Sequence, residues 1–368
     1  MKNKTAISLF SGAGGMDVGF IEAGFEVKWA NDFDKNACET YKQNIGNHIV
    51  NGDIDQLLYQ LADFNDIDCI FGGPPCQGFS VAGRMDPNDD RSKLVFSFME
   101  AVKLVKPKTF IMENVKALGT LAKFQLVREE IFKRAEELGY KTELMILNSK
   151  DFGVPQSRER MFIVGHKSTL IRSSLVHSIK SFQEASPSVR EVIQSLGPAG
   201  SEKNCKTVNA KITIAKSPVL RKSPYAGMLF NGQGRPLNLD SYSSTLHASM
   251  GGNRTPIIDE AELYNNESAW VEEYHAHLMD GGDPSEFDKK PHRLRRMTVD
   301  EAHLLQTFPV DYKFFGKQSS VFKQIGNAVP CNLAKAVGKL ALDILNDRIN
   351  VVEMPLNQNY ALAFAEVN

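Results

Sequence analysis

The chain has 368 residues, a formal net charge of −1, and 42% hydrophobic and 24% charged residues. This suits one large domain with a smaller one beside it, in an ordinary soluble globular protein. No apolar run approaches the ~20 residues that cross a bilayer, which excludes a membrane span. The 5 cysteines (Cys38, Cys69, Cys76, Cys205 and Cys331) are odd in number and widely spaced, without a CxxC or Cys/His ligand set. They exclude a disulfide framework and a structural zinc, and point to a reducing cytoplasm.

The opening Met1–Phe10 is basic and then apolar, as in a leader, but its apolar part is short and runs straight into a glycine loop. It reads as a first strand. Short apolar runs then recur at Ala6–Phe10, Val27–Asn31, Ile49–Val50, Asp68–Phe71, Thr109–Met112, Thr142–Leu147 and Met161–Val164. Between them, apolar residues recur every three to four positions at Ala37–Gln43, Ile54–Leu61, Leu94–Val105 and Leu126–Leu138. Strand–helix alternation predicts right-handed βαβ units and an α/β fold with a doubly wound, mainly parallel sheet. The pattern degrades after Lys167. Residues 168–290 are rich in Ser, Gly, Pro and Asn, too long for one loop, and predict a second, smaller and irregular domain. Helices return at Thr298–Gln306 and Asn332–Leu345. The expected division is 1–171 with 310–350, then 172–309, with 351–368 as a tail.

The loop after the first strand reads Phe10-Ser11-Gly12-Ala13-Gly14-Gly15. Its glycines let backbone N–H groups approach a ligand. The G-x-G-G spacing does not satisfy the G-x-G-x-x-G dinucleotide fingerprint, and no base stands nearby for a pyrophosphate. A phosphate-free ligand fits better, with an amino-acid moiety over the loop and a nucleoside beyond it. At the end of the second strand, Asp32 can take the ribose hydroxyls and Phe33 can stack on a purine. At the end of the third, Asp53 can accept from an amino group, with Ile54 against the ring. Each alone reads more readily as a helix cap or core residue than as a ligand contact; three successive strand ends favour the set.

The fourth strand ends in Gly72-Gly73-Pro74-Pro75-Cys76-Gln77. A thiol held at a sheet rim by prolines faces a ligand crevice and reads as a nucleophile, although buried free cysteine is commonly inert packing. Its company matters. Glu113 closes the next strand, and a buried carboxyl is costly unless used or paired. Arg158 and Arg160, at alternate positions of Gln156-Ser157-Arg158-Glu159-Arg160, face one side of an extended segment, where one can favour the thiolate. Nucleophile, acid and cation at neighbouring strand ends suit covalent attack on an electron-poor ring whose nitrogen the acid protonates.

These residues identify the chain as similar to the DNA cytosine-5 methyltransferases, of the bacterial restriction–modification type. The matches run in family order: the 10–15 loop, Pro74-Pro75-Cys76-Gln77, Asp90 and Arg91 before Leu94, Glu113-Asn114-Val115, Gln156 to Arg160, Arg295-Arg296-Met297-Thr298 through Gln306 to Pro309, and Gln324 to Pro330. They cover residues 8–165 and 293–340. The resemblance implies a class I S-adenosylmethionine-dependent methyltransferase fold and S-adenosylmethionine as methyl donor, without a metal. It implies that a cytosine is flipped from duplex DNA, that Cys76 adds to C6, that Glu113 meets N3, and that Arg158 and Arg160 hold O2 and the nearby backbone, with Asn114 behind them. It adds Pro74, Leu94, Asn327 and Val329 to the cofactor contacts. Residues 81–91 become a lid over DNA, and Gln77, Ser80 and Arg84 become DNA contacts. The partners implied are double-stranded DNA and a cognate restriction endonuclease related in function without physical association, for a cytoplasmic monomer that needs no membrane. Phe33 and Asp32 stand where tryptophan and glutamate are frequent in the family; both keep the chemistry.

Sequence choice falls to residues 172–293. Lys150–Arg235 carries fourteen Lys/Arg against five Asp/Glu, and Asp259–Asp288 ten acids and no Lys or Arg. That asymmetry suits one face gripping a polyanion. Arg235 in 223–235 and Arg254 in 245–255 sit among Asn and Gly residues and are the expected readers of base edges. The alternative substrate is tRNA, whose cytosine-5 methyltransferases share Pro-Pro-Cys-Gln but carry Cys-Phe-Thr, absent here, and a shorter variable region. The missing third glycine argues against a nicotinamide-dependent oxidoreductase, and the presence of Cys76, Glu113 and Arg160 against a binding-only protein.

Overall fold

The computed structural model describes residues 3–75, 93–171, 174–287 and 293–349. Seven strands form one sheet in the order β3-β2-β1-β4-β5-β7-β6: β1 (Lys4–Leu9), β2 (Phe25–Asp32), β3 (Ile49–Asn51), β4 (Cys69–Gly72), β5 (Thr109–Val115), β6 (Lys141–Asn148) and β7 (Glu159–His166). The first five run parallel, and β7 is antiparallel to both β5 and β6. The central strands are buried on both faces, so they read as continuous apolar runs rather than alternations. The helices of this part are α1 (Gly15–Ala23), α2 (Lys35–Asn44), α3 (Ile54–Leu57), α4 (Lys93–Val105), α5 (Lys116–Thr120), α6 (Gln125–Glu137) and α7 (Leu175–Ile179). One core joins Ile7, Leu9, Ile70, Phe110, Met112 and Ile163 of the sheet to Phe98, Val102 and Ile131 of α4 and α6. Each such side chain contributes roughly 1.5–3 kcal/mol by leaving water. On the other side Phe20 of α1 stacks on Phe71 at 3.9 Å.

The described chain divides into two compact units, one within residues 1–152, 159–184 and 331–368, the other within 153–158 and 185–330. The return to the first unit falls at Cys331 rather than at 310, because Val321, Phe322 and Ile325 belong to the core of the second unit. The last helix of the described residues, α13 (Cys331–Leu345), returns to lie on α1. A Cβ on Gly19 would stand 2.5 Å from the Cys331 carbonyl and from Lys335 N, and one on Gly338 2.9 Å from Ala23 Cβ. The glycines therefore permit this close crossing, and Lys335 closes it with an ion pair to Glu22 at 2.9 Å.

The second unit contains α8 (Val189–Leu196), a β8–β9 hairpin (Ile214–Val219, Met228–Phe230), and β10 (Ile257–Asp259) paired antiparallel with β11 (Leu294–Arg296). Its other helices are α9 (Glu260–Asn265), α10 (Trp270–Met279), α11 (Val299–Leu305) and α12 (Gln318–Asn327). Ser188 with Glu191, and Thr298 with Glu301, form capping boxes at α8 and α11. Four helices, α7 to α10, lie inside the stretch 168–290 expected to be irregular, α9 and α10 late in it. The acids in the first turns of α9 and α10 favour helix starts, and Trp270, Val271, Tyr274 and Leu278 give α10 a buried face.

Candidate active site

The sheet reverses its order at β1. The chain moves outward to β2 and β3, then crosses back so that β4 lies on the other side. Such a switch point opens a crevice at the carboxyl ends of the strands. The end of β1 lies there, with Leu9 in register with Asn31 on one side and Gly72 on the other. The glycine loop and the Gly72–Pro75 turn therefore leave adjacent strands at the same edge.

The loop is built to expose backbone. Phe10, Gly12 and Gly14 have φ of 55°, 56° and 85°, the left-handed region that glycine enters without cost. Among the described residues a Cβ on Gly12 would meet nothing within 4 Å, which leaves open space above the loop there. No N-cap side chain bonds the start of α1 among the described residues, although Asp17 accepts from its own backbone N–H. Ser11 N donates to Asn31 O at 2.8 Å, and Ser11 and Ser8 share a hydroxyl contact at 2.9 Å.

Asp32 does more than expected. Its Oδ2 accepts from Gly12 N at 2.8 Å and its Oδ1 from Asp34 N at 2.7 Å. The carboxylate thus sets the loop's shape. Phe33 beside it is 78% exposed, a ring with a free face. Asp53 caps α3 by accepting from Asp55 N at 3.1 Å. Ile54 departs from expectation: it is 2% exposed and packed in the core, with almost no surface to offer a ring. Ala13, Gly14, Gly15 and Pro74 are buried, and Leu94 is half-buried.

Beneath the loop, Asp17 is fully buried in the first turn of α1. Tyr41 donates to its Oδ1 at 2.9 Å, and His48 Nε2 meets the Tyr41 hydroxyl at 3.0 Å. Burial pushes the Asp17 carboxyl from 3.8 up to about 7, although the Ser8 and Tyr41 hydroxyls pull it back. A carboxyl whose folded pKa is raised binds its proton more tightly in the folded chain than in the unfolded one. Its contribution is complete below the unfolded value and is lost as pH rises through the folded value. Unfolding titrations from pH 5 to 8 will show the wild type losing on the order of 2–4 kcal/mol against Asp17→Asn. Parallel profiles would mean that Asp17 does not titrate in this window.

Strand β5 runs three residues further than the apolar pattern indicated, so Glu113 and Asn114 lie inside it. Asn114 Nδ2 donates to Pro74 O at 3.0 Å and holds the Pro-Pro turn. Glu113 is 9% exposed and its Oε1 meets Arg160 Nε at 3.1 Å. The pairing of Glu113 with Phe162 and of Val115 with Arg160 puts acid and cation diagonally on one face. A Cβ on Gly73 would fall 2.8 Å from Glu113 Oε2, and one on Gly72 2.0 Å from Leu9 O. The two glycines let β4 end tightly against β1 and leave the carboxylate room beside the turn leading to Cys76. Cys76 itself, with Gln77, Ser80, Arg84 and the expected lid, lies outside the described residues, as does the tail. Cys38, Cys69 and Cys331 are buried. Burial raises all three thiols, Cys38 to about 11, so they are not thiolates at neutral pH.

Arg158 does not share Arg160's position. It precedes β7 and belongs to the second unit. At 2% exposure, its Nη1 donates to Leu246 O at 3.0 Å and its Nη2 to Gly326 O at 2.9 Å. The extended strand begins only at Glu159, so its alternation does not reach back to Arg158; Arg160 meets Glu113 at 3.1 Å. Gln156 and Gln306 are fully buried beside it, Gln156 Nε2 donating to Gln306 Oε1 at 2.7 Å. Both glutamines were visible as motif members, but nothing in their spacing disclosed this contact.

In the second unit, Arg235 and Arg254 are both exposed. Gly234 N donates to Asn253 O at 3.0 Å and Ile257 N to Arg235 O at 2.9 Å, so their two segments are paired. Arg296, absent from the expected site, underlies both. It is 2% exposed, its Nη1 donates to Thr255 O at 2.8 Å, and a Cβ on Gly234 would stand 2.2 Å from that nitrogen. Lys203, Lys211, Lys216, Arg221 and Lys222 are exposed as well. A cleft of about 340 Å³ in the same unit is lined by Asp240, Glu262, Glu267 and Glu272 beside Arg190. Its acid excess suits it poorly to phosphate.

The fold and strand-end site define a class I S-adenosylmethionine-dependent methyltransferase fold. Residues 4–342 match the family model described as C-5 cytosine-specific DNA methylase. The chain is 32% identical over 347 residues to the type II methyltransferase M.FnuDI of Fusobacterium nucleatum, covering 93% of this chain and 95% of that one. It is 32% identical over 351 residues to M1.HphI of Haemophilus parahaemolyticus, covering 92% and 86%. Among solved structures, the Schizosaccharomyces pombe Dnmt2 methyltransferase superposes with a TM-score of 0.65 at 19% identity, over 95% of this chain and 100% of that chain. The chain belongs to the C-5 cytosine-specific DNA methylase family and is a DNA (cytosine-5-)-methyltransferase.

Proposed function

We propose that the protein methylates C5 of a flipped-out cytosine within a specific duplex DNA sequence through a covalent bond from Cys76 to C6, and that it protects host DNA in a restriction–modification system. The observation that carries the chemistry is the Glu113–Arg160 pair, nearly buried at 3.1 Å and packed against Gly73 at the exit of β4. Cys76 follows that exit by three residues.

S-adenosylmethionine supplies the methyl group as an electrophilic carbon. The open space above Gly12, the free face of Phe33 and the lack of a phosphate fingerprint fit this donor. Gly12, Ala13, Gly14 and Gly15 with Phe10 and Ser11 receive its amino-acid end, Asp32 and Phe33 its nucleoside, and Asp53, Pro74, Leu94, Asn327 and Val329 complete the contacts. The Cys76 thiolate adds to C6. Glu113, held by Arg160, gives N3 a hydrogen bond or proton, so charge does not accumulate on the ring. C5 then takes the methyl group, the C5 proton leaves, and Cys76 is expelled to restore the ring. Arg160 is the cation for this step; Arg158 is committed to backbone carbonyls. The domain within 172–309 selects the sequence, with Arg235 and Arg254 at the base edges and Gln77, Ser80 and Arg84 on the DNA as the flipped base is held. A cytoplasmic monomer suffices for this reaction.

Tritiated S-adenosylmethionine incubated with mixed duplex DNA, and separately with tRNA, tests the reading. Label on duplex cytosine is expected, and bisulfite sequencing of the product gives the site. Label on tRNA alone would overturn the substrate. Because Lys/Arg contacts to phosphate release counterions, DNA affinity should fall about 10³-fold or more between 50 and 200 mM salt despite the near-zero net charge. A flat dependence would remove the basic-face account.

A further inference from the structure

Helix α12 ends at Asn327, where Ala328 N donates to the carbonyls of Gln324 at 3.2 Å and Ile325 at 3.3 Å, which leaves the later carbonyls of this end without a helical partner. Two side chains add donors here. Gln306 Nε2 donates to Ile325 O at 2.6 Å and to Ala328 O at 3.1 Å. Arg158 Nη2 donates to Gly326 O at 2.9 Å, bringing a full positive charge to the negative end of the helix dipole. The carbonyls of 325, 326 and 328 are thus fixed on either side of Asn327, which is itself exposed. Gln156 braces the pair: its Nε2 meets Gln306 Oε1 at 2.7 Å, and its Oε1 accepts from Leu246 N at 2.9 Å. Gly326 must be glycine, since a Cβ there would fall 2.4 Å from Ala248 N and 2.5 Å from the His247 carbonyl carbon.

We infer that Arg158 and Gln306 are positioning residues that cap the end of α12 and thereby hold Asn327 in the conformation that binds the methyl donor. The inference rests on the reading of Asn327 as a cofactor contact. It assigns Arg158 away from the target base, and gives Gln306 a task that its place in the sequence did not reveal. Through Leu246, the same guanidinium also anchors the segment that carries Arg254.

The test is steady-state kinetics of the full chain with S-adenosylmethionine and a duplex bearing the methylated sequence, together with direct binding of S-adenosylhomocysteine. Arg158→Lys keeps the charge but loses one of the two carbonyl contacts; Gln306→Met keeps the bulk but loses both donors. Either variant should raise KM for S-adenosylmethionine about tenfold, since charge-assisted or buried donors are lost, while kcat at saturating donor stays within about threefold. A melting curve without cofactor confirms that the variant measured is folded, and one folded variant suffices. Asn327→Ala separates the two claims. If it leaves S-adenosylhomocysteine affinity unchanged, the cofactor reading of Asn327 is wrong. If it weakens binding while neither Arg158→Lys nor Gln306→Met changes KM, the positioning inference is wrong. A fall in kcat with unchanged KM in Arg158→Lys would return Arg158 to the reacting base.

Discussion

Cys76→Ala will reduce methyl transfer to duplex DNA on the order of 10⁴-fold or more, the scale seen when a covalent nucleophile is removed from a preorganised site. The substitution deletes one sulfur and leaves the Glu113–Arg160 pair intact, so the donor and the DNA should still bind. Single-turnover transfer with both substrates saturating isolates the loss to chemistry. Activity within about tenfold of wild type would dismiss Cys76 as the attacking group. Of the four other described thiols, Cys38, Cys69 and Cys331 are buried, with pKa values raised by that burial, and Cys205 is exposed in the second unit.

The second large effect is at Glu113. Glu113→Gln preserves shape and keeps an amide that can still hydrogen-bond, but it cannot deliver a proton to the ring nitrogen. General acid catalysis is worth about 10²–10⁴-fold, so kcat should fall by that factor. The change also leaves Arg160, whose side chain is only 14% exposed, without its carboxylate. An uncompensated buried charge costs about 3–5 kcal/mol at the upper end, so the melting temperature should fall with it. Arg160→Met combined with Glu113→Gln removes both charges and should recover much of that stability while leaving activity low. A double variant as unstable as Glu113→Gln would show that the pair's charge balance is not what matters.

Much of the first unit was legible in the sequence because its signals are local. The glycine loop, the apolar runs and the caps each act within a few residues, and a parallel sheet buried on both faces writes itself as uninterrupted apolar stretches. Strand β5 shows where this fails: Glu113 and Asn114 are polar, so the apolar run stops at Met112, yet the strand continues because both side chains find partners in Arg160 and Pro74. Ile54 shows the opposite case, an apolar residue next to the helix-capping Asp53 that lies in the core. Arg158 and Arg160 looked equivalent at two-residue spacing. They diverge because a strand starts between them, and the carbonyls that claim Arg158 lie 88 and 168 residues away in the chain. The second unit was least legible for the same reason. Its buried Arg296 and Gln306 act on backbone carbonyls 41 and 19 residues away in sequence, and α9 and α10 are short helices set among Asn, Ser and Gly residues.

The proposed mechanism turns on one bond, from Cys76 sulfur to cytosine C6. A duplex carrying the methylated sequence with 5-fluorocytosine at the target tests it directly, because fluorine cannot leave as the proton does and the ring cannot be restored. Incubation with S-adenosylmethionine should give a protein–DNA complex that survives denaturing electrophoresis, depends on the methyl donor, disappears in Cys76→Ala and maps to Cys76 by peptide mass. Turnover of ordinary duplex without such a complex on the fluorinated one, or a complex mapped to another residue, would contradict it.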